Sequence, residues 1–262
     1  MISPDNRRYA YGKAQLIEVI CQLRFPTILS IDTREPADFQ ETVRAAFPRY
    51  QCQVETIPGV NGAPNRTINN HTFLSEDGGY KLSLTKDFIA LSTMRYTNWE
   101  DFAARLDEPL GQFIKIYRPN CFDRVGLRFV NAFSREQLGL AGRRWNDLLQ
   151  PPYLGVLDED EIDEESVVKC SVDVERKLDV LAALKLHAGP GFVQRNIRNG
   201  NRVQQVQEKE VRFIFDQDVY STAKVKVPAV AETLNALHAH ADSVFSDAIT
   251  TVLHDAMEPE YL

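Results

Sequence analysis

A chain of 262 residues, 44% hydrophobic and 26% charged, is long enough to bury a substantial core, so disorder is not its default state. A net charge of −7 weighs against a general nucleic-acid binder, which needs a basic face, although 30 Lys and Arg leave room for a local one. Met1 to Lys13 is polar, unlike a signal peptide, and nowhere does an apolar run approach the roughly 20 residues that span a bilayer. Cys21, Cys52, Cys121 and Cys170 are far apart and form no Cys-x-x-Cys pair, as expected for reduced thiols in a cytoplasmic protein without a membrane anchor.

The first half opens with an expected strand, Gln15 to Phe25. Val19, Cys21, Leu23 and Phe25 share one face; Glu18, Gln22 and Arg24 share the other. Pro26 ends it. A helix is expected after Pro36, with Phe39, Val43 and Phe47 as its stripe and Pro48 as its stop. A loop follows, punctuated by Pro58, Gly59, Gly62 and Pro64 and polar from Asn65 to Asn70. Then comes a meander of three strands, His71 to Ser75, Tyr80 to Thr85 and Phe88 to Tyr96, with Gly78 and Gly79 in its first turn. Asn98 is a good N-cap for an amphipathic helix marked by Trp99, Phe102, Leu106, Leu110, Phe113 and Tyr117, with Pro109 expected to kink it.

The second half repeats this order. A strand is expected from Phe122 to Phe133, with Val125, Leu127 and Phe129 on one face, then a short helical stretch around Arg135 to Leu149. Asp158 to Glu165 holds seven acids in eight residues and reads as a solvated loop or an interaction tract. Strands are expected at Val167 to Val174, Val180 to His187 and Glu210 to Phe215, with an exposed loop from Gly189 to Arg202. Pro228 opens a long helix with Val230, Leu234, Leu237, Ala241, Phe245, Ala248, Val252 and Ala256 as its buried stripe.

The expected fold is therefore α+β. A single globular unit, 1–262, would be built from two similar halves, about 14–120 and about 121–262, each an antiparallel sheet with helices packed on one side. Leu23-Arg24-Phe25 and Leu127-Arg128-Phe129 lead the two halves, which points to an internal duplication.

Two stretches carry a family likeness. Leu16-Ile17-Glu18-Val19 continues to Leu23-Arg24-Phe25-Pro26 and on to Phe39-Gln40; the last helix carries Leu237-His238, Phe245 and Ile249-Thr250. In these the chain resembles a sporadically distributed bacterial protein family of unknown function. It departs from the family in having Lys13-Ala14-Gln15 where a proline commonly precedes the first leucine or isoleucine. The resemblance implies a bacterial cytosolic protein and carries over no catalytic residue.

Arg24 and Arg128 each lie on the face opposite the Leu/Phe stripe of their strand. Glu18 and Gln22 share the face of Arg24, and Arg124 that of Arg128. If the halves are related by a twofold axis, the two guanidinium forks could close on one carboxylate or phosphate; the alternative is cross-strand ion pairing. Asp216 and Asp218, in Phe-Asp-Gln-Asp after an apolar strand, could hold Mg²⁺ or simply serve turn chemistry. Arg195 and Arg198 follow Gly189-Pro190-Gly191 and could grip an anion or a protein partner, though a true phosphate-binding signature is absent. His187, beside the same glycines, could act as a base near a mobile loop. His238, His240 and His254 lack the spacing of three or four that zinc ligands on one helix face require. No nucleophile elbow, zinc-protease pair or dinucleotide fingerprint occurs, which leaves the enzyme question open.

The leading expectation is a non-enzymatic binding or interaction protein of a bacterial cytosolic multiprotein system, with a protein partner or self-association. The first alternative is a Mg²⁺-dependent enzyme or binder acting on a nucleotide or other phosphorylated small molecule. The second is a nucleic-acid-binding protein.

Overall fold

The computed structural model describes residues 9–57, 66–199 and 202–261. The first half contributes β1 (Tyr9–Tyr11), β2 (Leu16–Arg24), α1 (Leu29–Thr33), α2 (Ala37–Val43), β3 (Arg49–Ile57), β4 (Arg66–Leu74), β5 (Tyr80–Leu84), β6 (Phe88–Thr93) and α3 (Trp99–Tyr117). The second contributes β7 (Cys121–Phe122), β8 (Arg124–Phe133), β9 (Val172–Lys177), β10 (Ala182–Gly191), β11 (Gln194–Asn199), β12 (Arg202–Gln207), β13 (Arg212–Ser221), β14 (Val225–Lys226), α4 (Val230–Ala248), α5 (Thr251–Ala256) and β15 (Pro259–Tyr261). The protein is α+β, with a large antiparallel sheet and few helices.

Instead of two sheets, one continuous sheet of nine strands forms, in the order β3-β4-β5-β6-β2-β8-β13-β10-β9. The leading strands β2 and β8 pair antiparallel at its centre, with Leu23 opposite Val125, Cys21 opposite Leu127 and Val19 opposite Phe129. From this seam the chain runs outward in each half and then steps back strand by strand. An amphipathic helix, α3 or α4, follows each return. Val19, Cys21, Leu23, Val125 and Leu127 are fully buried because α2, α3 and α4 cover this face. Phe25 meets Phe113 of α3 at 4.7 Å between ring centroids, and α4 lays Phe245 against Phe133 and Phe215. The opposite face of the sheet carries no helix among the described residues.

Local chemistry sets several boundaries. The Asn98 side chain accepts from the Asp101 amide at 2.8 Å and starts α3, which runs through Pro109 to a left-handed cap at Arg118. Gly78 takes the positive φ (68°) in the β4–β5 turn. The expected long C-terminal helix breaks at Ile249, which is extended and bridges to Leu149; Thr250 then caps α5 through the Leu253 amide.

Four further expectations are corrected. The loop after Pro48 includes β3 and the start of β4, an edge hairpin whose Tyr50 and Cys52 alternate with Gln51 and Gln53. The stretch Gly189 to Arg202 is the end of β10, all of β11 and the start of β12. Strand β9 starts at Val172, not Val167, and β13 extends to Ser221, so Asp216 and Asp218 lie within a strand and not at its end. Arg135 to Leu149 forms turns and a single 3-10 turn, Trp145–Asp147. Gly139 takes φ 72° there, and the Arg135 guanidinium lies 4.2 Å from the Trp145 ring centroid while binding Glu164 at 2.9 Å. The acidic tract folds back onto these arginines: Arg144 donates to the carbonyls of Glu159, Asp160 and Ile162.

His71 of β4 is a buried polar member of the first half's core. Its Nε2 donates to the Ile31 carbonyl at 3.2 Å, and in the neutral ring Nδ1 then accepts from the Tyr50 hydroxyl at 2.9 Å. This tautomer is neutral, and burial holds its pKa below the ordinary 6.5. Below 6.5 the unfolded chain therefore binds more protons at this site than the folded one, and stability drops as pH falls from that value. His71→Gln should flatten this part of the pH–stability curve in urea titrations. Identical acid dependence of variant and wild type would rule the effect out.

Candidate functional site

The two-residue period places Glu18, Gln22, Arg24, Arg124, Arg128, Asp216 and Asp218 together on the open face of the sheet. Arg128 grips Asp216 with a two-pronged contact, Nε to Oδ1 at 2.8 Å and Nη2 to Oδ2 at 2.5 Å. Asp216 is the main reason its guanidinium is held still more firmly in the charged form, with the charges of Glu18 and Asp218 adding to it. Arg124 reaches Asp218 through Nη2, at 2.8 and 2.6 Å to the two oxygens. Its guanidinium lies across Gly126, where any Cβ would collide with it, and 4.5 Å from the Tyr220 ring centroid. Outward, Tyr220 donates to Glu175 at 2.6 Å and His187 meets Asp173 at 2.7 Å.

Arg24 and Arg128 thus do not close on a shared cavity. Arg24 is exposed and donates through Nε to Gln22 at 2.9 Å, with Arg124 as its direct cross-strand neighbour. Asp216 and Asp218, expected to offer a Mg²⁺ pair, are each occupied by an arginine of β8. Among the described residues no group of three or more His, Cys, Asp and Glu could hold a metal ion. Partly exposed pairs of this kind contribute about 0–1 kcal/mol each. The backbone of Arg195 and Arg198 forms β11, while their side chains lie outside the described residues.

The helical side carries a different site. A cavity of about 370 Å³ opens under α4, beside the β2–β8 seam. Its helical wall is His238, Ala241, Asp242, Phe245 and Ser246, the spacing of one helix face. Tyr96 and Trp99, around the start of α3, form a second wall, and the Trp99 indole stacks on His238 at 4.5 Å. Tyr11 of β1 closes a third side, its hydroxyl 3.0 Å from His254 Nδ1. Phe129, Asn131 and Gln217 form the sheet wall. The exposed Ala14, Thr97, Asp242 and Ser246 mark the mouth.

Two of these sheet residues are out of place in a core. Asn131 and Gln217 are each 3% exposed, and neither amide forms a hydrogen bond with another described residue. The Gln217 Oε1 atom is fully shielded and has no donor among the described residues. An unpaired buried amide costs about 1–3 kcal/mol, so its place in a cavity wall calls for a reason. Sequence reasoning passed over both, yet a signal was there. Asn131 interrupts the core stripe Leu127, Phe129, Phe133, and Gln217 interrupts Phe213, Phe215, Val219. His238, expected at the flank of the helix stripe, is buried within it, whereas His240 pairs with the exposed Asp179 at 2.8 Å.

The four cysteines are free, and burial pushes the Cys21 thiol upward, which makes it a poor nucleophile. A scan of protein-family models and a search of curated proteins returned no match to this chain.

If the Gln217 amide is held at a cost, removing its polarity should not destabilise the empty protein. Gln217→Met should leave unfolding free energy unchanged or raise it by up to about 1 kcal/mol in urea titrations. A loss of about 2 kcal/mol or more would mean that the amide is satisfied internally.

Proposed function

We propose that this is a non-enzymatic binding protein whose ligand is a small molecule held in the cavity between α4 and the centre of the sheet. The cavity itself, with its aromatic wall and the buried amides of Asn131 and Gln217 in its lining, is the observation that carries this reading. Ligand cavities combine an apolar, aromatic lining with a few polar groups that await a partner, and about 370 Å³ lies within the range such sites occupy. A place in a bacterial cytosolic multiprotein system belongs to the same proposal and rests on the sequence resemblance. An internal duplication is supported by the mirrored strand order about β2 and β8 and by the helix that follows each return. The Mg²⁺-dependent reading draws less support, because binding a cation would require pulling Asp216 and Asp218 from their arginines. The nucleic-acid reading draws less from an open face on which Arg124 and Arg128 are already neutralised by carboxylates.

Filling the cavity tests the main reading. Ala241→Leu adds apolar volume from α4, and ligand-observed NMR with a set of small aromatic fragments should show binding to wild type and none to the variant. Fragment binding of equal strength in both proteins would remove the cavity as the site.

A second reading, self-association, has its own support. Among the described residues, strands β11 and β12 pair only with each other and form a two-stranded sheet separate from the main one. Arg195 and Arg198 sit on this small sheet, and an acidic tract on the same chain offers them an opposite charge in a second copy. Sedimentation velocity should show wild type self-associating and Arg195→Glu/Arg198→Glu monomeric. Equal sedimentation of the two proteins would exclude it.

A further inference from the structure

We infer that β3, one edge of the main sheet, pairs antiparallel with β3 of a second copy about a twofold axis at Cys52, joining two sheets into one. The inference is independent of the cavity and names a different surface from the β11–β12 pair.

The edge is built to pair. Among the described residues β3 has β4 as its sole neighbour, over nine residues in unbroken register from Arg49 opposite Leu74 to Ile57 opposite Arg66. Uncovered edges are normally guarded by charge, proline, a bulge or short length. The other edge, β9, fits that rule: it has six residues, of which Asp173, Glu175, Arg176 and Lys177 are charged. Strand β3 has no lysine, no proline and no bulge, and no charged residue lies between Arg49 and Glu55. Instead it presents Tyr50 (38% exposed), Cys52 and Val54 (66% exposed) to solvent.

Hydrogen bonding fixes which peptide groups face a partner. The Ser75 amide, just past the end of β4, donates to the Tyr80 carbonyl of β5. Peptide groups alternate in direction along a strand, so Phe73, His71 and Asn69 also turn from β3, while Leu74, Thr72 and Asn70 turn toward it. Their partners Arg49, Gln51 and Gln53 are thereby engaged. Tyr50, Cys52 and Val54 then direct their N–H and C=O groups outward.

The sequence of β3 complements itself in reverse. A twofold axis at Cys52 sets Tyr50 opposite Val54, an aromatic against a β-branched side chain, and Gln51 opposite Gln53. It also sets Arg49 opposite Glu55, residues of opposite charge, at both ends of the pair. Axes at Gln51 or Gln53 would use the same outward groups, but they put Arg49 opposite Gln53 or Ile57 and no acid. Cys52 meets its own copy at a hydrogen-bonded position, where Cα atoms lie about 5.5 Å apart. Each molecule has one β3, so this isologous contact closes at the dimer.

Sedimentation velocity of the full chain at tens of micromolar should show a dimer. Val54→Lys and Cys52→Pro should each weaken it about tenfold or more. Neither disturbs the monomer, because Val54 is exposed and the outward Cys52 N–H makes no bond to β4; far-UV circular dichroism of wild-type shape checks this. Arg49→Glu should weaken the dimer about tenfold, and Arg49→Glu/Glu55→Arg should restore it to within about threefold. A short bismaleimide should link wild-type chains in pairs, and Cys52→Ser, with Cys21, Cys121 and Cys170 intact, should abolish the link. A monomeric wild type overturns the proposal. So does a dimer that survives both edge variants, a double variant as weak as Arg49→Glu, or a link that persists without Cys52. If Arg195→Glu/Arg198→Glu dissolves the dimer and the edge variants do not, the β11–β12 reading stands and this one fails. The reverse result supports β3 and removes the β11–β12 reading.

Discussion

The antiparallel pairing of β2 with β8 is the constraint on which the rest of the molecule depends. Each strand ends one sub-sheet, and alone each would expose a row of unpaired amides and carbonyls along an apolar strand. Joining them edge to edge satisfies both rows and turns two short sheets into one of nine strands. The register also aligns the two apolar stripes on one face, with Leu23 opposite Val125 and Cys21 opposite Leu127. A slip of one residue would send those side chains into solvent. It would also carry Arg24, Arg124 and Arg128 into the core, so the seam is specified from both faces.

Two unlike surfaces follow from that register. On the open face, charged side chains stand in rows, and cross-strand spacing brings β8 arginines onto β13 aspartates. Gly126 contributes by its missing side chain, which gives the Arg124 guanidinium room to lie flat. The Arg124–Asp218 and Arg128–Asp216 pairs balance their own charges, whereas Arg24 has another arginine, Arg124, as its direct neighbour across the seam. On the covered face, α3 and α4 come from different halves and bury the sheet between them. Near the seam they leave a gap, which Trp99, His238 and Tyr11 line without filling. Four of the buried polar residues, Asn131, Gln217, His238 and Gln15, border that gap. Most of the core elsewhere obeys the rule that buried positions are apolar or internally paired, and departures from that rule are where function is expected.

The open face was readable in the sequence and the cavity was not. Alternation of apolar and polar residues in two strands was enough to place Glu18, Gln22, Arg24, Arg124 and Arg128 off the core. It could not show that Arg128 and Asp216 pair, because Arg128 and Asp216 come from strands separated by the whole of β9 to β12. Asn131 and Gln217 were hidden by their surroundings. A lone amide in an apolar strand reads as a tolerated exception until the opposite wall is known, and that wall comes from α4 and the residues before α3. The pair β11–β12 was missed for a related reason. Gly and Asn favour turns in isolation, and it is hydrogen bonding between the two strands that makes this stretch extended.

By itself the sequence determined the class of the protein, the leading strand and closing amphipathic helix of each half, the face on which each strand's side chains lie, and most boundaries set by caps and prolines. These are local properties, written in periods of two and 3.6 residues and in residues with restricted backbones. Tertiary structure alone decided that the two sheets are one, that Asp216 and Asp218 belong to arginines, and that two amides face a cavity. Each of these depends on which distant segments meet. Pairing partners are set by the balance of burial and hydrogen bonding over the whole chain, a balance that no single segment records.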